Sequence, residues 1–167
     1  MPEKPPPDST QSTAIQKTRV EMTQMVLPQF TNALGHVFGG QMMSWIDICA
    51  AVAAQRHCRS QVVTASFDDL HFIAPVKQGH ILILRGQVNA AFRTSMECGV
   101  SVWMEDPLTG IRQKAAKAYA TFVALDEHGK LKAVAPLEPE SEEEKRRAAQ
   151  ALKRRQDRLQ RREESSR

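Results

Sequence analysis

The stretch over residues 31–58 constrains the fold most, because it is a long apolar segment with a single charge. It reads TNALGHVFGGQMMSWIDICAAVAAQRHC, and within residues 22–55 the only Asp, Glu, Lys or Arg is Asp47. The apolar residues recur every three to four positions, which predicts a helix over residues 40–58 that is buried on most sides. A lone carboxylate in such a helix is costly unless it is solvated or has a chemical task. Asp47 is therefore the first candidate functional residue.

The segments around this helix have the pattern of β-strands. Before it, TRVEMTQMVL alternates imperfectly between apolar and polar residues and ends at Pro28. After it come four strand-like runs bounded by turn residues, QVVTASFDDLHFI, ILILRGQVNAAF, TSMECGVSVWMED and IRQKAAKAYATFVAL. A strand, one long helix and then four strands in hairpin-like succession predict an α+β fold. In this fold the long helix is wrapped by a five- to six-stranded antiparallel sheet.

Composition divides the chain into three parts. Residues 1–17 contain proline and small polar residues and read as a disordered leader without the apolar core of a secretory signal. Residues 18–135 are the domain, and residues 136–167 are a charged helix and tail. Residues 142–164 hold nine Lys or Arg and six Asp or Glu, whereas residues 1–141 hold 13 of each. A neutral domain argues against a nucleic-acid-binding core, which would present a basic face.

The three cysteines point to a reducing compartment. Cys49, Cys58 and Cys98 are odd in number and lack CxxC spacing, so buried structural thiols are expected rather than disulfides or a metal site. The chain has no run of 18 apolar residues, so no membrane span is expected. These features predict a cytoplasmic protein that binds neither membrane nor nucleic acid.

Three motifs in order resemble one enzyme family. TNALGHVFGGQMMSWID is similar to the loop–helix signature of hotdog-fold acyl-CoA thioesterases, and VVTASFDDLHF and AFRTSMECGVSVWMEDPLTG resemble the segments that follow it. The likeness extends from about residue 18 to residue 134, and the charged tail is similar to the family's C-terminal helix. It is strongest to the cytosolic acyl-CoA hydrolases, in a single-domain form. The resemblance implies hydrolysis of fatty acyl-CoA to a free fatty acid and coenzyme A, without a metal or other cofactor.

The resemblance also implies how a site is built. In the family two domains pair, and a loop Asn and a helix Asp act together across the pair; here they match Asn32 and Asp47. A homodimer, or a trimer of such dimers, is therefore expected. Asp47 would act as general base or nucleophile, helped by an apolar environment that raises a carboxylate's pKa. The amides of a helix starting at Gly40 would stabilise the oxyanion, and the glycine at Gly39 is expected at the substrate, where it lets the thioester come close.

Coenzyme A contacts are expected from two strand segments and the tail. By resemblance the channel is lined by Ala65, Ser66, Phe67, Thr94, Ser95 and Met96. In the tail, Arg154 and Arg155 are candidates for a coenzyme A phosphate, because Arg pairs with phosphate through two hydrogen bonds. One departure from some bacterial relatives is Phe30, which stands where they carry an acidic residue before the Thr-Asn pair. We expect it to alter packing or substrate preference and not the chemistry.

Each of these residues also has an ordinary structural interpretation. Asp47 could bond to neighbouring backbone amides, Asn32 could form an Asx turn, and the tail arginines could be solvated helix residues. At the level of function, the alternatives are a non-catalytic acyl-CoA binding module, another hotdog acyl-thioester enzyme, and a scaffold whose basic helix contacts RNA. A hotdog dehydratase would use a catalytic His, and His36 does not lie in such a pattern.

Overall fold

The computed structural model describes residues 13–165. In chain order the elements are β1 (Thr13–Ala14), a 3-10 turn (Ile15–Thr18), β2 (Val20–Met25), a second 3-10 turn (Pro28–Phe30), α1 (Gly39–Cys58), β3 (Gln61–Phe72), β4 (Ile81–Ala91), β5 (Ser95–Glu105), β6 (Arg112–Leu125), β7 (Leu137–Glu138) and α2 (Glu142–Ser165). The predicted helices and strands agree with these bounds to within two or three residues. Part of the predicted leader, residues 1–12, lies outside the described residues.

Five strands form one antiparallel sheet in the order β2-β4-β5-β6-β3. The strands β3 to β6 follow one another in the chain, but β3 does not pair with β4; it pairs with β6 at one edge. The other edge is β2, which pairs with β4. The strands β1 and β7 form a separate parallel pair. The predicted α+β class, with one long helix against a five-stranded antiparallel sheet, is confirmed.

Helix α1 lies against one face of the sheet and forms the core with it. Its fully buried residues include Ile46, Cys49 and Ala53. They pack on inward-facing strand residues such as Leu84 and Val100, where alternate side chains of each strand point to the same face. The small residues of α1 allow close contact with the sheet. In the single chain one side of α1 stays open, contrary to the prediction that the helix is buried on most sides.

Helix α2 packs on the opposite face of the sheet. Arg154 of α2 forms an ion pair with Glu97 of β5, whose side chain is only 1% exposed, at 2.7 Å between Nη2 and Oε1. Neighbouring residue Met96 points into the core, so Glu97 points to the other face. Asn89 is also buried there and donates from Nδ2 to Glu97 Oε1 at 3.2 Å. The predicted tail helix is thus part of the same packed unit as the sheet.

Asn89 fits only because the facing residue is glycine. A Cβ at Gly99 would lie 2.6 Å from Asn89 Nδ2, which is closer than real Cβ atoms come to a nitrogen. The buried amide and the glycine opposite therefore form one packing unit on this face.

The start of α2 is fixed by reciprocal hydrogen bonds. Ser141 Oγ accepts from the Glu144 N–H at 3.2 Å, and the Glu144 carboxylate accepts from the Ser141 N–H at 3.1 Å. This capping box satisfies amides that have no partner inside the helix. The backbone bonds to Ser141 and Glu140 hold the pKa of Glu144 below its usual value, although burial acts in the other direction.

Ordered structure begins earlier than the sequence indicated. Residues 13–18 form β1 and a helical turn, and Ile15 is 1% exposed. Thr18 is fully buried, and its hydroxyl donates to the Ile15 carbonyl and accepts from the Val88 N–H. One isolated apolar residue in a proline-rich stretch does not produce a periodic pattern, which is why the prediction placed this segment in the leader.

Candidate active site

Asp47 lies on the open side of α1, next to the edge strand β3. Asp47 is partly exposed, and the neighbouring Met43 and Ile48 are 38% and 49% exposed. Thr64 of β3 donates a hydrogen bond from Oγ1 to Asp47 Oδ1 at 2.7 Å. The hydroxyl fixes the orientation of the carboxylate and leaves its second oxygen available to accept a proton. The donor in this hydrogen bond is a side-chain hydroxyl, whereas the structural interpretation of Asp47 expected backbone amides.

The sequence did not identify Thr64 as the partner of Asp47. The two residues are 17 positions apart, on a helix and a strand that are adjacent only in the folded chain. A threonine within a strand is common, so its spacing from Asp47 gave no local signal.

The loop before α1 is organised by Asn32. The Asn32 Oδ1 atom accepts from the N–H groups of Leu34 and His36 at 3.0 and 3.2 Å. The Asx-turn interpretation of Asn32 is therefore correct for its oxygen. The side chain is exposed, and its NH₂ group supplies two further donors.

Helix α1 begins at the glycine pair. Gly39 and Gly40 are its first two residues, both are exposed, and Phe38 provides no side-chain cap. The first amides of a helix have no partner within it and carry partial positive charge. The exposed Phe38 ring lies 2.7 Å from where a Cβ at Gly40 would be, and the Phe72 ring lies 3.7 Å from the same point at Gly39.

The two predicted coenzyme A segments come together across β6. Thr64 in β3 and Met96 in β5 both pair with Phe122 in β6. Segment 65–67 therefore begins at the level of the sheet where segment 94–96 ends, with β6 between the two. Met96 itself is fully buried in the core, so its side chain does not face the surface, and only its backbone can contribute to a channel.

The two predicted tail arginines have different surroundings. Arg154 donates to both oxygens of Glu97 and lies over the Tyr119 ring, 3.6 Å from the ring centroid. Arg155 lies over the Phe92 ring at 4.5 Å. Arg154 thus already pairs with a buried carboxylate. Within the described part of the chain, the contact shown for Arg155 is with an aromatic ring and not with a carboxylate. A contact with coenzyme A stays a prediction for both.

Buried titratable groups lie outside this site. Burial raises the pKa of the Cys49 thiol to about 11, although the charge of Arg56 acts to lower it. Burial also raises the pKa of Cys98 well above its usual value. Cys49, Cys58 and Cys98 are all free thiols. These thiols are packing residues of the core and not nucleophiles.

Residues 13–165 contain neither a metal cluster nor a membrane-spanning helix. No group of three or more His, Cys, Asp or Glu in this range is placed to hold a metal ion. Among the described helices, none is long and apolar enough to cross a membrane.

The family model that matches the sequence is the thioesterase superfamily, over residues 34–111. An uncharacterized acyl-CoA thioester hydrolase of Bacillus subtilis is 42% identical over 128 residues, which cover 77% of this chain and 74% of that protein. Mouse acyl-coenzyme A thioesterase 11 is also 42% identical, over 85% of this chain but only 24% of its own length. The chain therefore spans about a quarter of that mouse relative.

Solved structures have the same fold. A hexameric acyl-CoA thioesterase superposes with a TM-score of 0.87 at 42% identity, covering 90% of this chain and 97% of that one. The acyl-CoA hydrolase of Staphylococcus aureus, solved with butyryl coenzyme A, coenzyme A and coenzyme A disulfide, has a TM-score of 0.87 at 38% identity. The match covers 93% of this chain and 95% of that one. Variants of that enzyme with an aspartate, an asparagine or a threonine replaced by alanine have also been solved.

Proposed function

The chain belongs to the thioesterase superfamily, and from this we propose that it hydrolyses the thioester of fatty acyl-CoA to a free fatty acid and coenzyme A. The observation that carries the proposal is the Asp47 carboxylate, oriented by Thr64 on the open side of α1. A thioester hydrolase needs a water activated beside the carbonyl carbon, or a carboxylate that attacks the carbon directly. We assign one of these two roles to Asp47.

In the first route, Asp47 removes a proton from a water molecule as the water oxygen bonds to the thioester carbon. The carbonyl oxygen becomes an oxyanion in this step. The C–S bond then breaks, and the coenzyme A sulfur takes up the proton from Asp47. In the second route, Asp47 itself displaces the thiolate, and water then hydrolyses the resulting anhydride. The reaction needs no cofactor, since coenzyme A is part of the substrate.

The amides at the start of α1 stabilise the oxyanion in this proposal. Gly39 and Gly40 offer N–H groups with partial positive charge where charge develops in the transition state. Loss of one such donor typically lowers the rate by about 10²–10³-fold.

Asn32 completes the site from a second copy of the chain. Among the described residues of one chain, the Asp47 carboxylate is hydrogen-bonded to Thr64 and not to Asn32, whose Oδ1 accepts from two amides of its own loop. The β3 strand is a sheet edge beside the open side of α1, and an unpaired edge can be extended by another strand. Pairing of two β3 edges would bring the partner's loop toward Asp47 and cover the exposed Met43 and Ile48.

The spacing of the replaced residues in the S. aureus enzyme supports this set of three site residues. There the replaced asparagine and threonine lie 15 positions before and 17 positions after the replaced aspartate. Asn32, Asp47 and Thr64 have the same spacing, since 47 − 32 is 15 and 64 − 47 is 17. We therefore assign the same three positions to the site of this chain, with Thr64 as a positioning residue.

Assembly and location are part of the proposal. A trimer of dimers is supported by the hexameric relative, and the segments 65–67 and 94–96 would bind the pantetheine arm at each dimer interface. The free thiols in the core support a cytoplasmic location.

Hydrolysis of acyl-CoA substrates of increasing chain length, measured by thiol release, tests the activity. Asp47→Asn is nearly isosteric, so we expect a folded oligomer that still binds coenzyme A and has kcat lowered by about 10²–10⁴-fold. Coenzyme A binding without hydrolysis by the unmodified chain would instead indicate a binding module.

Mixed oligomers test whether the site is shared. Chains with Asp47→Asn and chains with Asn32→Ala are each expected to be inactive, but a hybrid dimer contains one intact site and one doubly altered site. Mixing after subunit exchange should therefore restore part of the activity. No recovery despite proven exchange would contradict the shared site without affecting the role of Asp47.

A further inference from the structure

The edge strand β3 carries two irregularities that enclose one of the proposed coenzyme A segments. Its pairing with β6 shifts register between Thr64 and Ser66 and again between Phe67 and Asp69. Ala65 and Asp68 are the extra residues at these two bulges. Bulges re-aim backbone and side-chain groups locally and are common beside functional sites. The short stretch between them therefore presents its hydrogen-bonding groups in an orientation that a regular strand would not produce.

A buried carboxylate holds the second bulge. The Asp68 side chain is only 3% exposed, and Ser66 donates from Oγ to Asp68 Oδ1 at 3.3 Å. Thr121 of β6 donates from Oγ1 to Asp68 Oδ2 at 3.2 Å. The Asp68 carboxylate thus connects Ser66 in the bulged strand β3 to Thr121 in the neighbouring strand β6.

The third partner comes from the far helix. Arg158 of α2 forms an ion pair with Asp68 Oδ2, and its own side chain is 22% exposed. Because α2 lies on the face of the sheet opposite α1, this contact braces the bulge from behind. A buried carboxylate without a cation would be strongly destabilising, so Arg158 supplies the partner that the buried Asp68 requires.

We propose that Asp68 and Arg158 are positioning residues that hold the bulged segment 65–67 in the conformation that binds the pantetheine arm of the substrate. This inference rests on the proposed function, because it assigns a supporting role to the same site. Neither residue touches reacting atoms. Asp68 acts through Ser66 and the bulge, and Arg158 acts through Asp68, so α2 contributes to substrate affinity without contacting the substrate at this point.

This arrangement predicts a particular kinetic signature. Contacts with the pantetheine arm are made equally in the ground state and the transition state, so their loss raises KM and leaves kcat nearly unchanged. The effect should persist with acyl-pantetheine, which keeps the arm but lacks the nucleotide. Loss of a phosphate contact in the tail would, by contrast, have no effect on that truncated substrate.

The test uses Arg158→Met and Asp68→Asn in the 167-residue chain. For each variant we expect the Kd for free coenzyme A, from calorimetry, and the KM for acyl-CoA and acyl-pantetheine to rise about 3- to 10-fold, the equivalent of about one hydrogen bond. We expect kcat to change by less than about 2-fold. The double variant should be no worse than the more affected single variant, because the two residues act through the same contact.

Two further variants separate positioning from general stability. Arg147→Met removes an arginine from the same helix that pairs with Glu143 within α2, and it should leave Kd and KM unchanged. Arg158→Lys keeps the charge and should recover part of the affinity. Circular dichroism confirms that each variant is folded at the assay temperature.

Unchanged Kd and KM in folded Arg158→Met and Asp68→Asn would overturn the proposal, as would additive effects in the double variant. A rise in KM for acyl-CoA alone would also overturn it, since that result would place Arg158 at the nucleotide. Failure of the unmodified chain to hydrolyse any acyl-CoA would refute the proposed function separately, because the calorimetric Kd does not depend on turnover.

Discussion

The two neighbouring arginines of α2 should respond in opposite ways to the same substitution. Arg154 is 15% exposed and donates two hydrogen bonds, of 2.7 and 3.0 Å, to the buried Glu97 carboxylate. Arg155 lies over the Phe92 ring. Replacement by methionine removes the charge of either residue and keeps most of the side-chain volume. We expect Arg154→Met to reduce stability and Arg155→Met to reduce coenzyme A affinity.

The expected difference in stability follows from burial. In Arg154→Met the Asn89 amide is the one remaining donor to the buried Glu97 carboxylate among residues 13–165, and breaking a buried pair in this way costs about 3–5 kcal/mol. Arg155→Met removes a ring contact at the surface, worth about 0.5–1 kcal/mol. The free energies of unfolding of the two variants should therefore differ by at least about 2 kcal/mol. The double change Arg154→Met with Glu97→Met should recover most of the loss, because no buried charge then remains.

Urea unfolding followed by circular dichroism measures this difference. All variants must be compared at one protomer concentration, because the apparent stability of an oligomer depends on it. Arg155→Met should raise KM for acyl-CoA but not for acyl-pantetheine, which lacks the nucleotide. Equal stability losses in the two single variants, or a double variant no more stable than Arg154→Met, would refute this reasoning.

Three further changes test other features of the structure. A Cβ at Gly40 would lie 2.7 Å from the exposed Phe38 ring, which can rotate away, so Gly40→Ala should fold normally. We expect the added methyl group to displace the thioester and to lower kcat/KM by about 10²-fold. Normal turnover would contradict a close approach of the thioester to Gly40. Burial lowers the pKa of His57, against the hydrogen bond from its ring to the Ala135 carbonyl, so the folded state excludes a proton that the unfolded chain binds below pH 6.5. The contribution of neutral His57 to stability is thus present above pH 6.5 and is lost below it, by up to about 1.4 kcal/mol per pH unit. Urea unfolding between pH 5 and 8 should show a free energy of unfolding that depends less on pH in His57→Gln than in the unmodified chain. The Cys49 thiol, with its pKa raised to about 11 by burial, should resist alkylation at pH 8 until urea is added; rapid labelling of the native protein, located by mass spectrometry, would show that the core opens.

The elements were predictable where the pattern was local. The alanine-rich start of β6 could be assigned to a strand because turns bound it on both sides and strands precede it. Asp47 stood out because the surrounding 30 residues carry no other charge. Both signals are properties of consecutive residues, so a single sequence contains them.

Contacts between distant elements were not predictable in the same way. Thr64 and Asp47 meet because β3 runs beside α1, and the rotation of α1 about its axis decides which side chain faces the strand. Arg154 and Arg155 are identical residues at adjacent positions, and only the docking of α2 on the sheet places one at Glu97 and the other at Phe92. The bulge at Asp68 depends on its pairing with β6, which no property of the strand alone specifies.

Gly99 and Asn89 impose an order on the substitutions that a lineage of this protein can accumulate. While the asparagine is present, any side chain at position 99 would overlap its amide, so the glycine cannot drift. Replacement of Asn89 by a smaller residue removes that barrier, but it also takes a donor from Glu97. A side chain at position 99 therefore fits only after position 89 has changed and the Tyr119 ring, 3.3 Å from the Cβ position, has shifted, and reversion at 89 is then blocked by the side chain that has followed.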